Sequence, residues 1–191
     1  MKPQDKGESI AMYRTTKQKI AGTLRQMMME RPFQKITVQN LMDASGMKRQ
    51  SFYYHFQDTR DVLWWICDQE VVQPLKNSGL DFEPWILYGM ELLNRDRPFF
   101  RRVAAVSDPE SIQQLGEDVL GPRIARQLYG TEELGQLNDG QVFCVRFGTK
   151  AVVACALELV NSRQGLDLAA AQANVRCLME TIGLQGGGKV T

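Results

Sequence analysis

The sequence predicts an all-α fold, and three observations indicate it. Apolar residues recur at helical spacing, as in Ile20, Leu24, Met27 and Met28. Alternating runs of β-branched residues are missing, and no hairpin turn of the Asn-Gly or Asp-Gly type separates two such runs. The 191 residues, 43% of them hydrophobic and 24% charged, have the composition of a packed globular protein of one or two domains.

The net charge of +1 conceals an asymmetry along the chain. Residues 1–60 contain 11 Lys and Arg against 5 Asp and Glu, whereas residues 61–191 contain 12 against 17, so that the two parts carry +6 and −5. A basic first third attached to an acidic remainder predicts that an anionic partner meets only the N-terminal part of the chain.

The first helix is predicted to start at a cap on Thr15 or Thr16 and to stop before Pro32. Thr37 follows, and its hydroxyl can accept the free N–H groups of a second, short helix that ends near residue 44. Gly46 then permits the positive φ that lets the chain leave one helix and begin another at a steep angle.

A third helix, from about Lys48 to Phe56, completes a helix-turn-helix pattern. Phe52 and Phe56 are four residues apart and are predicted to face inward, which directs the intervening side chains outward or to the flank. The first turn holds the side chains that readers of this type insert into the major groove of DNA. The residues predicted from this helix to face DNA are Lys48, Arg49, Gln50, Ser51, Tyr53, Tyr54 and His55.

The remaining helices are predicted from caps and prolines. Asp58 caps a helix that ends between Pro74 and Gly79, and later prolines occupy first-turn positions of new helices. One of these helices is expected to be divided or bent at Gly121-Pro122. The later start signals are Pro84, Pro98 and Pro109, and the last two helices span about 138–162 and 167–184.

The last two helices are predicted to form a homodimer interface. The first is apolar on much of its circumference and rich in small residues, and the second carries an apolar stripe. Such helices must be buried on two sides, and in a chain of this size the second side can be another copy of the protein. The predicted interface residues are Ala151, Ala154, Cys155, Val175, Leu178 and Ile182.

Residues 33–63 resemble the TetR family of bacterial transcriptional regulators. The resemblance rests on the run from Phe33 to Val38, on Leu41, on Ala44-Ser45-Gly46-Met47, on Phe52-Tyr53-Tyr54-His55-Phe56 and on Asp61-Val62-Leu63. It covers about 50 residues, and the rest of the chain matches the family only in length and helical layout. A narrower similarity, in residues 49–53 and 61–66, is to the subgroup that includes regulators of dihydroxyacetone kinase operons.

The resemblance implies a three-helix DNA-binding head at residues 1–57 and a helical ligand-binding and dimerisation body at residues 58–191. Thr37 would bind a phosphate, Arg49 and Gln50 would contact base edges, and Tyr53, Tyr54 and His55 would contact the DNA backbone. Two positions depart from the family: Lys48 replaces a capping Ser, and Thr59 replaces a Lys. The phosphate contact of that Lys would then fall to Arg60.

An effector is expected to bind among aromatic residues of the body, although aromatic residues at helical spacing also suit an ordinary core. The same alternative applies to Tyr53 and Tyr54, which can be packing residues, and to His55, which has either a packing or a DNA-backbone role. The residues predicted to line the effector pocket are Trp65, Trp85, Tyr88, Phe99, Phe143 and Phe147.

Several classes of function are excluded by the sequence. The four cysteines form no CxxC pair and the single histidine lies near none of them, so neither a metal site nor a cofactor is expected. No catalytic motif is present, which argues against an enzyme. Neither a secretory signal nor a membrane-spanning stretch is found, so we expect a cytoplasmic protein without a membrane partner.

The sequence therefore predicts a homodimeric transcriptional regulator that binds a palindromic double-stranded DNA operator under the control of an effector. Two alternatives stay open. In one, a protein coregulator replaces the small-molecule effector, as the kinase-operon resemblance permits. In the other, the chain is a helical enzyme that retains a DNA-binding head.

Overall fold

The computed structural model describes the backbone of residues 3–181 and the side chains of residues 15–177, 179 and 180. Every regular element in this part of the chain is helical, which confirms the all-α prediction. The ten α-helices are α1 (Pro3–Glu30), α2 (Val38–Ser45), α3 (Arg49–His55), α4 (Thr59–Cys67), α5 (Gln73–Asn77), α6 (Phe82–Arg95), α7 (Arg97–Val106), α8 (Pro109–Tyr129), α9 (Asp139–Asn161) and α10 (Leu168–Thr181).

The chain divides into two compact units between Glu70 and Val71. The N-terminal unit contains α1 to α4, and the C-terminal unit contains α5 to α10. The division therefore falls after α4, whereas the sequence places the domain boundary after residue 57. The physical reason is that α4 packs against α1 and buries Val62, Leu63 and Ile66, so that it belongs to the core of the first unit.

The first helix is longer than predicted, and the proposed caps at Thr15 and Thr16 are wrong. Helix α1 begins at Pro3 and both threonines lie inside it. Residues 4–14 contain no proline, and most of them are good helix formers, so nothing stops the helix before Thr15. The predicted end before Pro32 is confirmed, because α1 ends at Glu30.

The core of the N-terminal unit is formed by apolar residues of all four helices. Its fully buried members are Ile20, Leu24 and Met28 of α1, Leu41 and Met42 of α2, Phe52 of α3, and Val62, Leu63 and Ile66 of α4. Cys67 also lies in this core, where burial raises the pKa of its thiol to about 12. Its thiol therefore stays protonated and behaves as a small apolar side chain.

A π-helical turn, Asp68–Val72, joins α4 to α5. Pro74 lies in the first turn of α5, and the helical path continues through it to Asn77. A proline lacks an N–H group and its ring clashes with the carbonyl four residues earlier, so a wider turn before Pro74 removes that conflict. The end predicted near Gly79 is confirmed, and Gly79 has a φ of 64°.

In the C-terminal unit, α9 packs against α6, α7 and α8. Helix α8 runs without interruption through Gly121-Pro122, so of the two expected outcomes, a division or a bend, the division is wrong. Gly121 is buried, and a β-carbon at this position would lie 3.8 Å from Leu134 Cδ1 and 4.0 Å from Val145 Cγ1. Both distances are ordinary van der Waals contacts, so a methyl group would fit at this position of α8.

The connection between α9 and α10 is held by side chains of α6 and α7. Arg101 donates from Nε to Val160 O (3.0 Å) and from Nη2 to Ser162 O (2.7 Å), and Arg97 donates to the carbonyl of Gln164. Asn94 Oδ1 accepts the N–H of Leu166 at 3.1 Å. Arg101 thus satisfies carbonyl groups at the C-terminal end of α9 that have no partner within the helix, and Arg97 satisfies one in the connection that follows.

Two helical glycines are expected to respond in opposite directions to alanine. A β-carbon on Gly116 of α8 would lie 2.4 Å from Cγ2 of Val153 of α9, whereas a β-carbon on Gly22 of α1 would meet nothing within 4 Å. Gly22→Ala should raise the free energy of unfolding by about 0.5–1 kcal/mol through helix propensity. Gly116→Ala should lower it by about 1–2 kcal/mol, because overpacking outweighs that gain.

Urea unfolding followed by circular dichroism measures both changes. Val153→Ala removes the atom that causes the conflict, so Gly116→Ala in that background should no longer destabilise the protein. Equal stabilisation by alanine at both glycines of the parent protein would contradict the close approach of α8 and α9.

Candidate nucleic-acid interface

Helix α2 and the turn after it are fixed by local capping. Thr37 Oγ1 accepts the N–H of Asn40 at 3.1 Å and Asn40 Oδ1 accepts the N–H of Thr37 at 3.3 Å, which forms a capping box. Gly46 has a φ of 67°, and the N–H of Met47 donates to Met42 O at 3.0 Å. The predicted cap and turn are confirmed, and they direct the chain into α3 within three residues.

Helix α3 has one buried face and one exposed face. Phe52 is completely buried and Phe56 is 3% exposed, as predicted from their spacing. On the outer side, Tyr53 is 51% exposed and Tyr54 is 75% exposed. Half or more of each aromatic side chain is therefore left uncovered on a short helix, which favours contact with a partner.

The first turn of α3 is polar and exposed. Lys48 is the N-cap and its side chain forms no capping hydrogen bond, as expected for a lysine at a position that suits serine. Arg49 and Gln50 follow in the first turn and are exposed, and Ser51 is half-buried. Three consecutive long polar side chains are therefore available to a partner at this end of the helix.

Arg49 is held by Tyr53, one helical turn later. Its Nη2 donates to Tyr53 Oη at 3.1 Å, and its Cζ lies 5.5 Å from the centroid of the tyrosine ring. This pair was not predicted from the sequence, although residues at i and i+4 on a helix are neighbours. The guanidinium group consequently has a defined direction in the protein alone.

Lys17 of α1 is a further basic residue near α3 that the sequence analysis missed. Its Nζ lies 4.8 Å from the ring centroid of Phe56 and 5.9 Å from that of Trp65. Partial burial and, to a smaller extent, the charge of Lys17 lower the pKa of His55 below its usual value. His55 is thus a neutral imidazole at pH 7, which can donate one N–H group but contributes no cation.

Helix α4 begins at a second cap. Asp58 Oδ1 accepts the N–H of Asp61 at 2.8 Å, and Asp61 Oδ2 accepts the N–H of Gln57 at 2.9 Å, which confirms Asp58 as the cap. Thr59 is half-buried and Arg60 is exposed in the first turn. Arg60, which would take over the phosphate contact of the Lys that Thr59 replaces, is therefore accessible.

The nine predicted DNA-binding residues lie in three successive segments of the N-terminal unit. These are the cap of α2, helix α3 with its N-cap, and the first turn of α4. All nine are at least partly accessible. The exposed residues are Thr37, Lys48, Arg49, Gln50, Tyr53, Tyr54 and Arg60, and the half-buried ones are Ser51 and His55.

The aromatic residues expected around an effector differ in burial and are divided between the two units. Trp85 and Phe99 are buried in the C-terminal unit, where Trp85 Nε1 donates to Leu75 O at 3.0 Å. Tyr88 packs against the apolar cluster that contains Trp85, and Trp65 belongs to the N-terminal unit. Phe143 and Phe147 are each 68% exposed on α9, with ring centroids 6.3 Å apart. Periodicity alone did not distinguish buried from exposed aromatic residues.

The exposed aromatic pair instead lies beside part of the predicted dimer interface. Phe143, Phe147, Ala151 and Ala154 recur at the spacing of one helical face, and all four are exposed, as is Cys155. Val175 is half-buried against the cluster formed by Leu75, Trp85, Ile86 and Leu92. Two predicted interface residues lie outside the described residues: Leu178, by its side chain, and Ile182.

Within the described part of the chain, no group of three or more His, Cys, Asp and Glu side chains is arranged to hold a metal ion. None of the described helices combines the length and the apolar character that crossing a membrane requires.

Comparison with known proteins relates the chain to one kind of regulator. It is 24% identical over 94 residues to the HTH-type dhaKLM operon transcriptional activator DhaS of Lactococcus lactis subsp. lactis (strain IL1403). The match spans 48% of this chain and about half the length of that relative, 50%. No known family profile matches the sequence.

A solved structure has the same fold. It is that of the dihydroxyacetone kinase operon activator DhaS, which superimposes with a TM-score of 0.65 over 88% of this chain and 97% of its own, at 20% sequence identity. Both similar proteins are named as operon activators and neither as an enzyme, in agreement with the prediction that the chain is not an enzyme.

Proposed function

We propose that the protein is a DNA-binding transcriptional regulator of the TetR type that acts as a homodimer on a palindromic operator. The observation that carries the proposal is the capped α2–turn–α3 unit, in which a buried Phe52 anchors a helix whose outer side exposes Arg49, Gln50, Tyr53 and Tyr54. This is the arrangement by which helix-turn-helix proteins present a recognition helix to the major groove. The likeness to DhaS supports the same conclusion.

Base reading is assigned to the first turn of α3. A guanidinium group can bind the N7 and O6 atoms of guanine with two hydrogen bonds, and a glutamine amide can bind the N6 and N7 atoms of adenine. Arg49 and Gln50 have these groups in exposed positions. Ser51 lies beside them and can contact either kind of base edge.

Phosphate binding is assigned to residues that precede or follow the first turn of α3 in the sequence. Thr37 accepts the N–H of Asn40 with its oxygen and retains its hydroxyl hydrogen for a phosphate. Lys48 and Arg60 are cations at the starts of α3 and α4, and Tyr53, Tyr54 and neutral His55 are uncharged donors. Contacts of this kind fix the register of a protein on DNA without reading its sequence.

Dimerisation is assigned to the exposed face of α9 and to α10. One short helix reads too few base pairs to find an operator among about 10⁶ competing genomic sites, so two linked heads are needed. The stripe of Phe143, Phe147, Ala151 and Ala154 is apolar and exposed in the single chain. An exposed apolar stripe of this kind is typical of a protein–protein interface.

We assign DNA binding to residues 1–57, with Arg60 of α4 as one further contact, and regulation to the remainder of residues 58–191. A small-molecule effector bound in the second part is the first candidate for control. Control by a protein coregulator is the second, and one observation favours it: two of the aromatic residues expected around a small molecule, Phe143 and Phe147, are exposed on α9. Thermal shift against a metabolite panel tests the first candidate, and pull-down from cell lysate tests the second.

Selection from a pool of duplexes with a randomised core of about 20 base pairs tests the proposed function. Full-length protein should enrich a palindromic sequence with two half-sites about one helical turn apart. Arg49→Ala and Gln50→Ala should each remove the preference at one position of the half-site, a loss of about 1–3 kcal/mol in discrimination. Failure to enrich any sequence would contradict the proposal.

Lys48 and His55 are expected to differ in the salt dependence of DNA binding. Lys48→Ala should lower the affinity for all sequences alike and reduce the slope of log affinity against log salt by about one unit, because one counterion fewer is released. At pH 8, His55→Gln should change the slope less than Lys48→Ala does, because partial burial lowers the pKa of His55 below its usual value and favours the neutral imidazole. Titration of the selected duplex at several salt concentrations measures both slopes. An unchanged slope for Lys48→Ala would remove this residue from the interface.

A further inference from the structure

The side chain of Arg49 is restrained before any DNA is bound. Its guanidinium group makes two contacts with Tyr53, a hydrogen bond of 3.1 Å from Nη2 to Oη and an approach of 5.5 Å between Cζ and the ring centroid. Arginine loses much rotamer freedom when it is fixed in a complex. A contact that already fixes the guanidinium group in the free protein reduces the side-chain entropy that is lost when DNA binds.

Tyr53 is itself fixed by the core of the N-terminal unit. Its ring meets that of Phe52 edge to face, with centroids 5.4 Å apart and an interplanar angle of 89°. Phe52 has no exposed surface. Tyrosine has only two side-chain torsions, so one such contact leaves its ring little freedom. The direction of the Arg49 guanidinium therefore depends on Tyr53, whose ring is in turn fixed by the buried Phe52.

The contact leaves the guanidinium able to read a base. Arginine has five N–H donors, of which Tyr53 takes one, and a guanine edge requires two. The hydroxyl of Tyr53 accepts from Arg49 and keeps its own hydrogen to donate. Tyr53 can thus donate a hydrogen bond to a DNA phosphate while its oxygen accepts one from the arginine that reads the base.

We propose that Tyr53 is a positioning residue for Arg49 and thereby determines the preference of this protein for guanine at one position of each half-site. The proposal rests on the proposed function and adds to it a role for Tyr53 beyond contact with the DNA backbone. The ligand of the Arg49–Tyr53 pair is the major-groove edge of a guanine, and Tyr53 contributes to its selection without touching the base.

The experiment uses the full-length protein, the duplex enriched by the unaltered protein, and a set of duplexes that each differ from it by one base pair. Arg49→Ala identifies the position at which guanine preference depends on this side chain, with an expected loss of about 5- to 150-fold. Tyr53→Phe keeps the ring but removes the accepting oxygen. It should reduce the preference at that same position about two- to tenfold and leave the other positions unchanged.

Two comparisons separate positioning from a simple phosphate contact. Tyr53→Phe combined with Arg49→Ala should lose no more guanine preference than Arg49→Ala alone, because no guanidinium remains to be positioned. Tyr54→Phe, at the neighbouring exposed tyrosine, should lower affinity for every duplex by one common factor. Thermal unfolding by circular dichroism verifies that the variants have the parental fold.

The lost phosphate contact lowers the affinity of Tyr53→Phe for every duplex alike, so the deciding quantity is the guanine preference. An unchanged preference beside that uniform loss would overturn the positioning role while leaving the proposed function intact. Retention of guanine preference by Arg49→Ala would overturn it in the same way. If the unaltered protein enriches no sequence at all, the proposed function and this inference both fail, so the two failures are distinguishable.

Discussion

Phe147→Glu together with Ala154→Glu is expected to convert the protein into a monomer and to lower its affinity for the operator about a thousandfold or more, toward that of non-specific binding. Both residues lie on the exposed face of α9, where Phe147 is 68% exposed in the single chain. In a dimer this face would be desolvated, and burying an unpaired carboxylate costs several kcal/mol.

Light scattering and titration of the selected duplex measure the two effects. Ala105→Glu supplies the matched control, because Ala105 is exposed on α7, outside the proposed interface. This variant should remain a dimer with parental affinity. A soluble dimer of Phe147→Glu with Ala154→Glu that binds the operator normally would show that the dimer contact lies elsewhere.

Phe52→Ala is expected to destabilise the N-terminal unit by about 3–5 kcal/mol and to abolish operator binding. Phe52 is completely buried, and its ring contacts those of Tyr53 and Phe56, with centroids 5.4 and 5.9 Å away. Its removal leaves a cavity beneath the recognition helix. The loss is a large fraction of the 5–15 kcal/mol that stabilises a typical domain.

Hydrogen–deuterium exchange of peptides from α2 and α3, resolved by mass spectrometry, measures this local stability. Tyr54→Ala provides the contrast on the same helix, because Tyr54 is 75% exposed. Its exchange should stay near the parental rate, since exposed substitutions change stability by about 0.5 kcal/mol or less, while its DNA affinity falls. Undiminished protection of α3 in Phe52→Ala would contradict the role of Phe52 as the anchor of the helix.

The sequence by itself determined the features that depend on neighbours within a few residues. The caps at Thr37 and Asp58 and the left-handed turn at Gly46 were all predicted, because a cap is a hydrogen bond across three residues and a positive φ is a property of glycine. The inward direction of Phe52 and Phe56 followed from helical period in the same way.

The start of α1 and the continuity of α8 are local features that the sequence analysis nevertheless misjudged. A threonine can cap a helix only where the helix begins, and the residues before Thr15 already favour helix. A proline breaks a helix unless its neighbours hold the chain, and α8 is held by its packing against α9. In both cases a residue type that often starts or divides a helix stands at a position where the helix continues.

Only the tertiary structure decided which apolar faces are covered. Periodicity predicts that Trp85, Phe99, Phe143 and Phe147 lie on helices, but it does not specify what packs against each helix. The first two are buried in the C-terminal unit and the last two are exposed on α9. The assignment of α4 to the N-terminal unit has the same origin, because burial is a property of contacts between segments distant in sequence, and such contacts leave no local pattern.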